Sequence, residues 1–327
     1  MQIKTALIHG AVMVRVINWA VMETTGCGTA LVTPFRVDGS VDEEALRALV
    51  DWQVDSGIDF LVACGSTGEA ATLDEDELLH VVHIVVDAAG GRVPVWAGCS
   101  HNSTRVLLRL AGRLRQVQGL SGVLSSSPYY NKPSQEGQYQ HFLALARAVD
   151  PLPVILYNVP GRTAVNLEPQ TVARLVSDAP NIQAIKESGG KVAQVTQLAH
   201  LLPRGFRIFS GEDDLALASI AAGAHGLISV ASNEAPAEVG RMVRSALMND
   251  WTQAREIERR YTRLFEANFW DSNPGPVKTV LNLMGKANDT VRLPLVPPDP
   301  QTRYKLERVA GELGLLKHLP NTGNELF

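Results

Sequence analysis

Lys186 ends a short apolar run, IQAIKES at 182–188. A lysine on such a run has an enclosed stem, and lysines are rarely fully buried without a partner. Desolvation favours the neutral amine, which can attack a ketone and form an iminium that draws electrons from the neighbouring carbon. On this run alone, an ion pair with Glu187 or another barrel carboxylate is the favoured reading. Ser66 and Thr67 lie within GSTGE, beside Gly65 and Gly68. Glycines there let backbone N–H groups approach a carboxylate, and the hydroxyls add donors; an ordinary glycine-rich turn has the same composition. Tyr157 offers a phenol able to relay protons, or a core cap with its hydroxyl bonded to backbone. Arg162 follows Pro160 and Gly161, where a guanidinium could grip a carboxylate through two hydrogen bonds or form a surface ion pair.

These residues need a scaffold that brings distant segments together. Eight short runs, mostly β-branched and apolar on both faces, recur along the chain: 29–35, 60–66, 94–98, 122–128, 153–159, 182–188, 207–211 and 226–231. Such runs suit parallel strands covered on both sides. Helical patterns separate them. Asp42 is expected to cap a helix with Leu46, Leu49, Val50 and Val54 on one stripe, ended by Gly57. Thr72 and Glu75 have capping-box spacing before Leu78, Leu79, Val82 and Val85, and Ser134 opens a helix after Pro133. This alternation predicts an α/β fold, a (β/α)8 TIM barrel. An open doubly wound sheet is the alternative, weakened by the lack of a GxGxxG or Walker-type loop. From about residue 248 no strand pattern remains, and WTQAREIERRYTRLFEANF and TRYKLERVAGELGLL read as amphipathic helices. The expected organisation is an extension at 1–25, a barrel at 26–247 and a helical C-terminal region at 248–327. In such a barrel the site forms at the C-terminal strand ends, where Ser66 and Thr67, Tyr129–Asn131, Tyr157 and Asn158, and Lys186 would converge.

Composition narrows the classes. The 327 residues are 45% hydrophobic and 20% charged with net charge −4, which favours neither a nucleic-acid surface nor a polybasic membrane patch. Three cysteines, Cys27, Cys64 and Cys99, form no CxxC pair and suit reduced cytosolic thiols. The first 22 residues are interrupted by Lys4, His9, Arg15 and Asn18 and lack a cleavage pattern, so no signal peptide is expected; Met22 is a plausible alternative start. His80, His83, His101, His141, His200 and His225 show no metal-ligand spacing, and no metal or diffusible cofactor is expected.

Several stretches agree in order and spacing with one known family. GTALVTPF, GSTGEAATL, PYYNKPSQEGQYQHF, YNVPGRT, IKES, SGEDD, GLISV, NPGPVKTVLNLMG and RLPLVPP span about Gly28 to Pro297. They resemble the N-acetylneuraminate lyase superfamily, most closely its dihydrodipicolinate synthase family. The resemblance implies a barrel that condenses pyruvate with L-aspartate 4-semialdehyde on the diaminopimelate and lysine pathway. It implies that Lys186 forms the Schiff base and that Tyr157 relays protons with Thr67 and Tyr130, the latter reaching into a neighbouring subunit's site. Ser66 and Thr67 would hold the pyruvate carboxylate, Gly211 and Ile228 would line its pocket, and Arg162 would receive the carboxylate of the aldehyde. A cytoplasmic homotetramer is the implied assembly, with covalent pyruvate in place of any cofactor.

The arginine of YNVPGRT favours an aldehyde bearing a carboxylate over a long polyol. One departure concerns regulation. Lysine-inhibited relatives carry two histidines where this chain has Glu75 and Leu78, and a glutamate where it has Val106, although Asn102 matches. Weak or absent inhibition by L-lysine is therefore expected. Alternative readings are another pyruvate-dependent class I aldolase, acting on sialic acid or keto-deoxy sugar acids, and a non-enzymatic barrel that binds a small acid.

Overall fold

The computed structural model describes residues 24–316. Eight strands, all parallel, close into a barrel: β1 (Gly26–Ala30), β2 (Phe60–Ala63), β3 (Val95–Gly98), β4 (Gly122–Ser126), β5 (Val154–Asn158), β6 (Ile182–Glu187), β7 (Arg207–Ser210) and β8 (Gly226–Ser229). The closing pair is β1 with β8, Cys27 opposite Leu227 and Thr29 opposite Ser229, so no sheet edge remains and the open-sheet alternative is excluded. Alternation along each strand divides the apolar side chains. Phe60, Val62, Trp96, Leu124, Ile155, Ala184, Phe209 and Ile228 fill the interior, while Leu61, Val123, Leu156, Ile185 and Leu227 join the larger cluster that the helices cover.

The crossover helices are α1 (Glu43–Asp55), α2 (Glu75–Ala89), α3 (Thr104–Leu114), α4 (Gln135–Val149), the single turn α5 (Pro160–Thr163), α6 (Pro169–Asp178), α7 (Val192–Leu201), α8 (Ala216–Ala221) and α9 (Pro236–Leu247). Asp42 caps α1 by accepting from the Ala45 N–H, and Ser134 caps α4 by accepting from the Gly137 N–H, both as expected. Two expectations fail in detail. The first strand is GCGTA and stops at Ala30, so TALVTPF is mostly buried irregular backbone rather than a strand. The capping box of α2 is Asp74 with Glu77, two residues beyond the expected Thr72 and Glu75, and Thr72 instead bonds back to the Glu69 carbonyl. Asp74 brings a negative charge to the exposed N–H groups of the first turn, which a threonine cannot do.

Beyond α9, the chain forms α10 (Trp251–Ala267), α11 (Gly275–Leu283) and α12 (Pro300–Glu312), with no strand among the described residues. Helix α10 packs on α9 and α12, and α11 on α12. Helix α11 falls in NPGPVKTVLNLMG, for which no helix was expected. The expected N-terminal extension lies outside the described residues except for Thr24 and Thr25, as does the tail from Lys317 onward. Among the described residues no helix is long and apolar enough to cross a membrane.

Candidate active site

Strand β6 sends successive side chains to opposite sides. Lys186 faces the barrel interior and is 6% exposed. Its backbone lies between Tyr157 of β5 and Phe209 of β7 in the strand register, and its Nζ is 4.5 Å from the centre of the Tyr157 ring. Glu187 faces outward. Its carboxylate accepts from Asn158 Nδ2 at 3.0 Å, Gln194 Nε2 at 2.9 Å and the Gly189 N–H at 2.7 Å. Burial raises its pKa above the ordinary carboxylate range, and these donors pull the other way. The ion-pair reading of Lys186 thus fails: among the described residues no carboxylate lies within salt-bridge distance of it. The charge of Lys186 is felt by Glu212 and Asp213. Burial raises both, and the positive charge of Lys186 opposes that rise. Asp213 is anchored elsewhere, by the Ser229 hydroxyl at 2.5 Å and the Val230 and Ala231 N–H groups.

Gly211 follows β7 directly against the lysine. A Cβ at this position would fall 2.6 Å from Lys186 Cε and 1.8 Å from Ser188 Oγ, so only glycine leaves the stem room. Ile228 of β8 is fully buried in the same interior cluster as Tyr157. Lys186, Tyr157, Gly211 and Ile228 are therefore assembled within one chain.

Ser66 and Thr67 stand beyond β2, which ends at Ala63, rather than on the strand as expected. The chain turns sharply here: Cys64 and Glu69 both adopt φ of 53°. A Cβ on Gly98 would meet the Cys64 carbonyl oxygen at 1.8 Å, so glycine on β3 admits the turn. The two hydroxyls then differ. Thr67 is buried and accepts from Asn273 Nδ2 at 3.0 Å. Ser66 is exposed, and its side chain has no partner among the described residues.

Two expected residues stay outside the cluster. Arg162 is exposed on α5, immediately after β5, with no ion-pair partner among the described residues. Tyr130 is 87% exposed and holds φ of 73°, a left-handed conformation that is strained for an aromatic residue. The adjacent turn is pinned by Asn131, whose Nδ2 donates to the Asn102 carbonyl at 2.9 Å. A side chain so exposed does not reach Lys186 of its own chain.

Sequence reasoning missed the support beneath the GSTGE turn. Glu69 and Lys278 form an ion pair with both side chains fully buried. Lys278 also donates to the Thr290 carbonyl at 2.7 Å, and the Arg292 N–H donates to Glu69 Oε2 at 3.1 Å. The Arg292 guanidinium reaches Glu77 and the Gly39 and Thr72 carbonyls. The Phe35 ring lies 4.2 Å from Lys278 Nζ and 4.4 Å from the Arg292 guanidinium. Burial pushes the Lys278 ammonium below the ordinary lysine range, and the Glu69 carboxylate opposes it. The only sequence signal was the position of Lys278 in an apolar stretch of NPGPVKTVLNLMG. Among the described residues no group of three or more His, Cys, Asp or Glu side chains could hold a metal.

Residues 23–313 match the Dihydrodipicolinate synthetase family. A 4-hydroxy-tetrahydrodipicolinate synthase of Acidobacterium capsulatum is 56% identical over 91% of this chain and 99% of its own length. Among solved structures, the dihydrodipicolinate synthase of Aquifex aeolicus superposes with a TM-score of 0.87 at 40% identity, covering 90% of this chain and 100% of that one. The chloride-inhibited dihydrodipicolinate synthase of Acinetobacter baumannii, complexed with pyruvate, gives a TM-score of 0.86 at 39% identity, covering 89% and 99%.

The Glu69–Lys278 pair has a direct consequence for stability. Lys278→Met leaves the Glu69 carboxylate buried without its cation, which costs about 3–5 kcal/mol. Chemical denaturation should register that loss, and the double variant Glu69→Gln/Lys278→Met should recover much of it. A loss below about 1 kcal/mol in the single variant would contradict the buried-pair account.

Proposed function

Because the chain belongs to the dihydrodipicolinate synthetase family, we propose that it is a lyase joining pyruvate to L-aspartate 4-semialdehyde through a Schiff base on Lys186, yielding 4-hydroxy-tetrahydrodipicolinate for diaminopimelate and lysine synthesis. The observation that carries this reading is a lysine enclosed at the barrel mouth with no carboxylate partner among the described residues and a tyrosine ring 4.5 Å from its amine. Such an amine has no salt bridge to break before it reacts.

Chemistry begins when the Lys186 Nζ lone pair adds to C2 of pyruvate. Loss of the former carbonyl oxygen as water leaves an iminium. Removal of a C3 proton gives an enamine, which adds to the aldehyde carbon. Ser66 and Thr67 hold the pyruvate carboxylate, while Gly211 and Ile228 form the wall around its methyl group. Tyr157 moves protons between these steps together with Thr67 and a Tyr130 contributed by a neighbouring copy. The exposure and left-handed backbone of Tyr130 support a role outside its own chain. Asn273 occupies one acceptor position of the Thr67 hydroxyl but leaves its proton free to donate. The unpartnered Ser66 hydroxyl can both donate and accept, so it can share the relay.

Arg162 takes the carboxylate of the semialdehyde. Its lack of any ion-pair partner among the described residues leaves both faces of the guanidinium for a ligand. We read residues 26–247 as the catalytic unit and 248–327 as its helical appendage, in a cytoplasmic homotetramer built as a dimer of dimers. The covalent pyruvate makes an added cofactor unnecessary. L-lysine is not expected to control this chain: Glu75 is already held by Arg109 and Arg113, Leu78 is buried, and Val106 offers no charge to an α-amino group.

Borohydride added with pyruvate should leave a covalent pyruvyl adduct on the intact protein, detectable by mass, and Lys186→Ala should abolish it. No adduct on the wild type would favour the small-acid-binding alternative. Arg162→Ala should lower kcat/KM for the semialdehyde by roughly 10- to 100-fold, the worth of a charge-assisted contact, with the KM for pyruvate little changed. Unchanged turnover of the semialdehyde, or better turnover of sialic acid or a keto-deoxy sugar acid, would favour the alternative aldolases. Steady-state rates should be insensitive to L-lysine, and a low-micromolar inhibition constant would refute that expectation.

A further inference from the structure

Ser188 lies two residues beyond Lys186, immediately past the end of β6. It is 8% exposed, and its hydroxyl has no hydrogen-bond partner among the described residues. Its backbone is fixed by an N–H bond to the Asn158 carbonyl at 2.8 Å. Gly211 locates the hydroxyl: the point where a Cβ would sit is 1.8 Å from Ser188 Oγ and 2.6 Å from Lys186 Cε. The hydroxyl therefore lies along the end of the lysine stem, in the gap that the glycine leaves.

Buried polar atoms without partners are few in native proteins and call for an explanation. Two other serines, Ser125 and Ser127, also carry buried unpartnered hydroxyls. Ser125 alternates with the interior residue Leu124 on β4 and so faces away from the amine. Ser188 is the one whose hydroxyl borders the reactive lysine. The lysine thus has the Tyr157 ring near its amine and the Ser188 hydroxyl beside the end of its stem, next to Gly211.

We propose that Ser188 is a further catalytic residue, whose hydroxyl donates a hydrogen bond to the oxygen on C2 of the 2-oxo acid while Lys186 adds to it. The inference rests on the Schiff-base reading of Lys186. As the Nζ lone pair forms the N–C2 bond, the carbonyl π pair moves onto oxygen; one Nζ proton passes to that oxygen by way of the Tyr157 relay, which gives a neutral carbinolamine and restores the nitrogen lone pair. The C2–O bond then breaks with a second proton delivered to oxygen, water leaves, and the nitrogen pair forms the C=N bond. That oxygen is joined to Cε only through Nζ and C2, which puts it within reach of a hydroxyl beside Cε. Ser188 keeps its own proton throughout. It stabilises the charge that gathers on oxygen as the π pair shifts and as the C–O bond breaks.

The test mixes the enzyme with pyruvate alone, quenches with borohydride at timed intervals and follows the intact-protein adduct. Ser188→Ala should form the adduct about tenfold more slowly, the effect of one neutral hydrogen bond, yet reach the wild-type level at saturating pyruvate. Ser188→Cys, close in size but a weak donor, should be slowed similarly, which separates the hydrogen bond from packing. Wild-type trapping rates in both variants, or a defect confined to kcat/KM for the aldehyde, would overturn the proposal. No adduct on the wild type at any time would instead overturn the Schiff-base reading beneath it.

Discussion

The mouth of this barrel depends on one separation: Lys186 inside, Glu187 outside. Neighbours in sequence with opposite charges would pair if both could reach the same space. The pleat of β6 prevents it, and the Asn158 and Gln194 amides supply the carboxylate with donors on the far side. The amine is left against the Tyr157 ring, whose π face attracts a cation without holding it in a salt bridge. Had Glu187 no donors of its own, its buried charge would have drawn in the nearest cation.

The second constraint comes from outside the barrel. Thr67 is held by Asn273, which follows α10, and the Glu69 end of the same turn is held by Lys278 of α11. The C-terminal helices therefore shape the loop after β2, over 200 residues earlier in the chain. A buried ion pair is a poor source of net stability. It is, however, intolerant of displacement, because each charge is stranded if the other moves. That intolerance fixes a turn whose residues Cys64 and Glu69 adopt backbone angles they would not choose alone.

How legible this was depended on the range of the interaction. Asp42 and Ser134 announced their helices because a cap acts within three residues. The eight apolar runs announced the barrel because a strand covered on both faces has few polar positions. Lys186 and Tyr157 stood out as titratable side chains on apolar runs, now β6 and β5, and Arg162 as a cation on the turn that follows β5. The first strand was misjudged because Leu31, Val32 and Phe35 are buried without being in a strand; Phe35 packs against the cations of Lys278 and Arg292. The capping box was misjudged because Thr72–Glu75 and Asp74–Glu77 share a spacing, and only the carboxylate's charge decides between them. Asn273 and Ser188 stayed silent, and Lys278 showed only its apolar surroundings, since no periodicity links them to the residues they touch.

The missing side chain at Gly211 has an entropic meaning. A free lysine side chain carries about 2 kcal/mol of rotamer freedom, which a nucleophile on a flexible stem would have to surrender in reaching its transition state. Here the stem is threaded past the glycine, beside Tyr157 and below Ser188, before any substrate arrives. On the Schiff-base reading of Lys186, the ordering is charged to folding, where a large hydrophobic core can absorb it, rather than to each turnover. A methyl group at position 211 would close this channel, so the smallest side chain here sets the orientation of the lysine beside it.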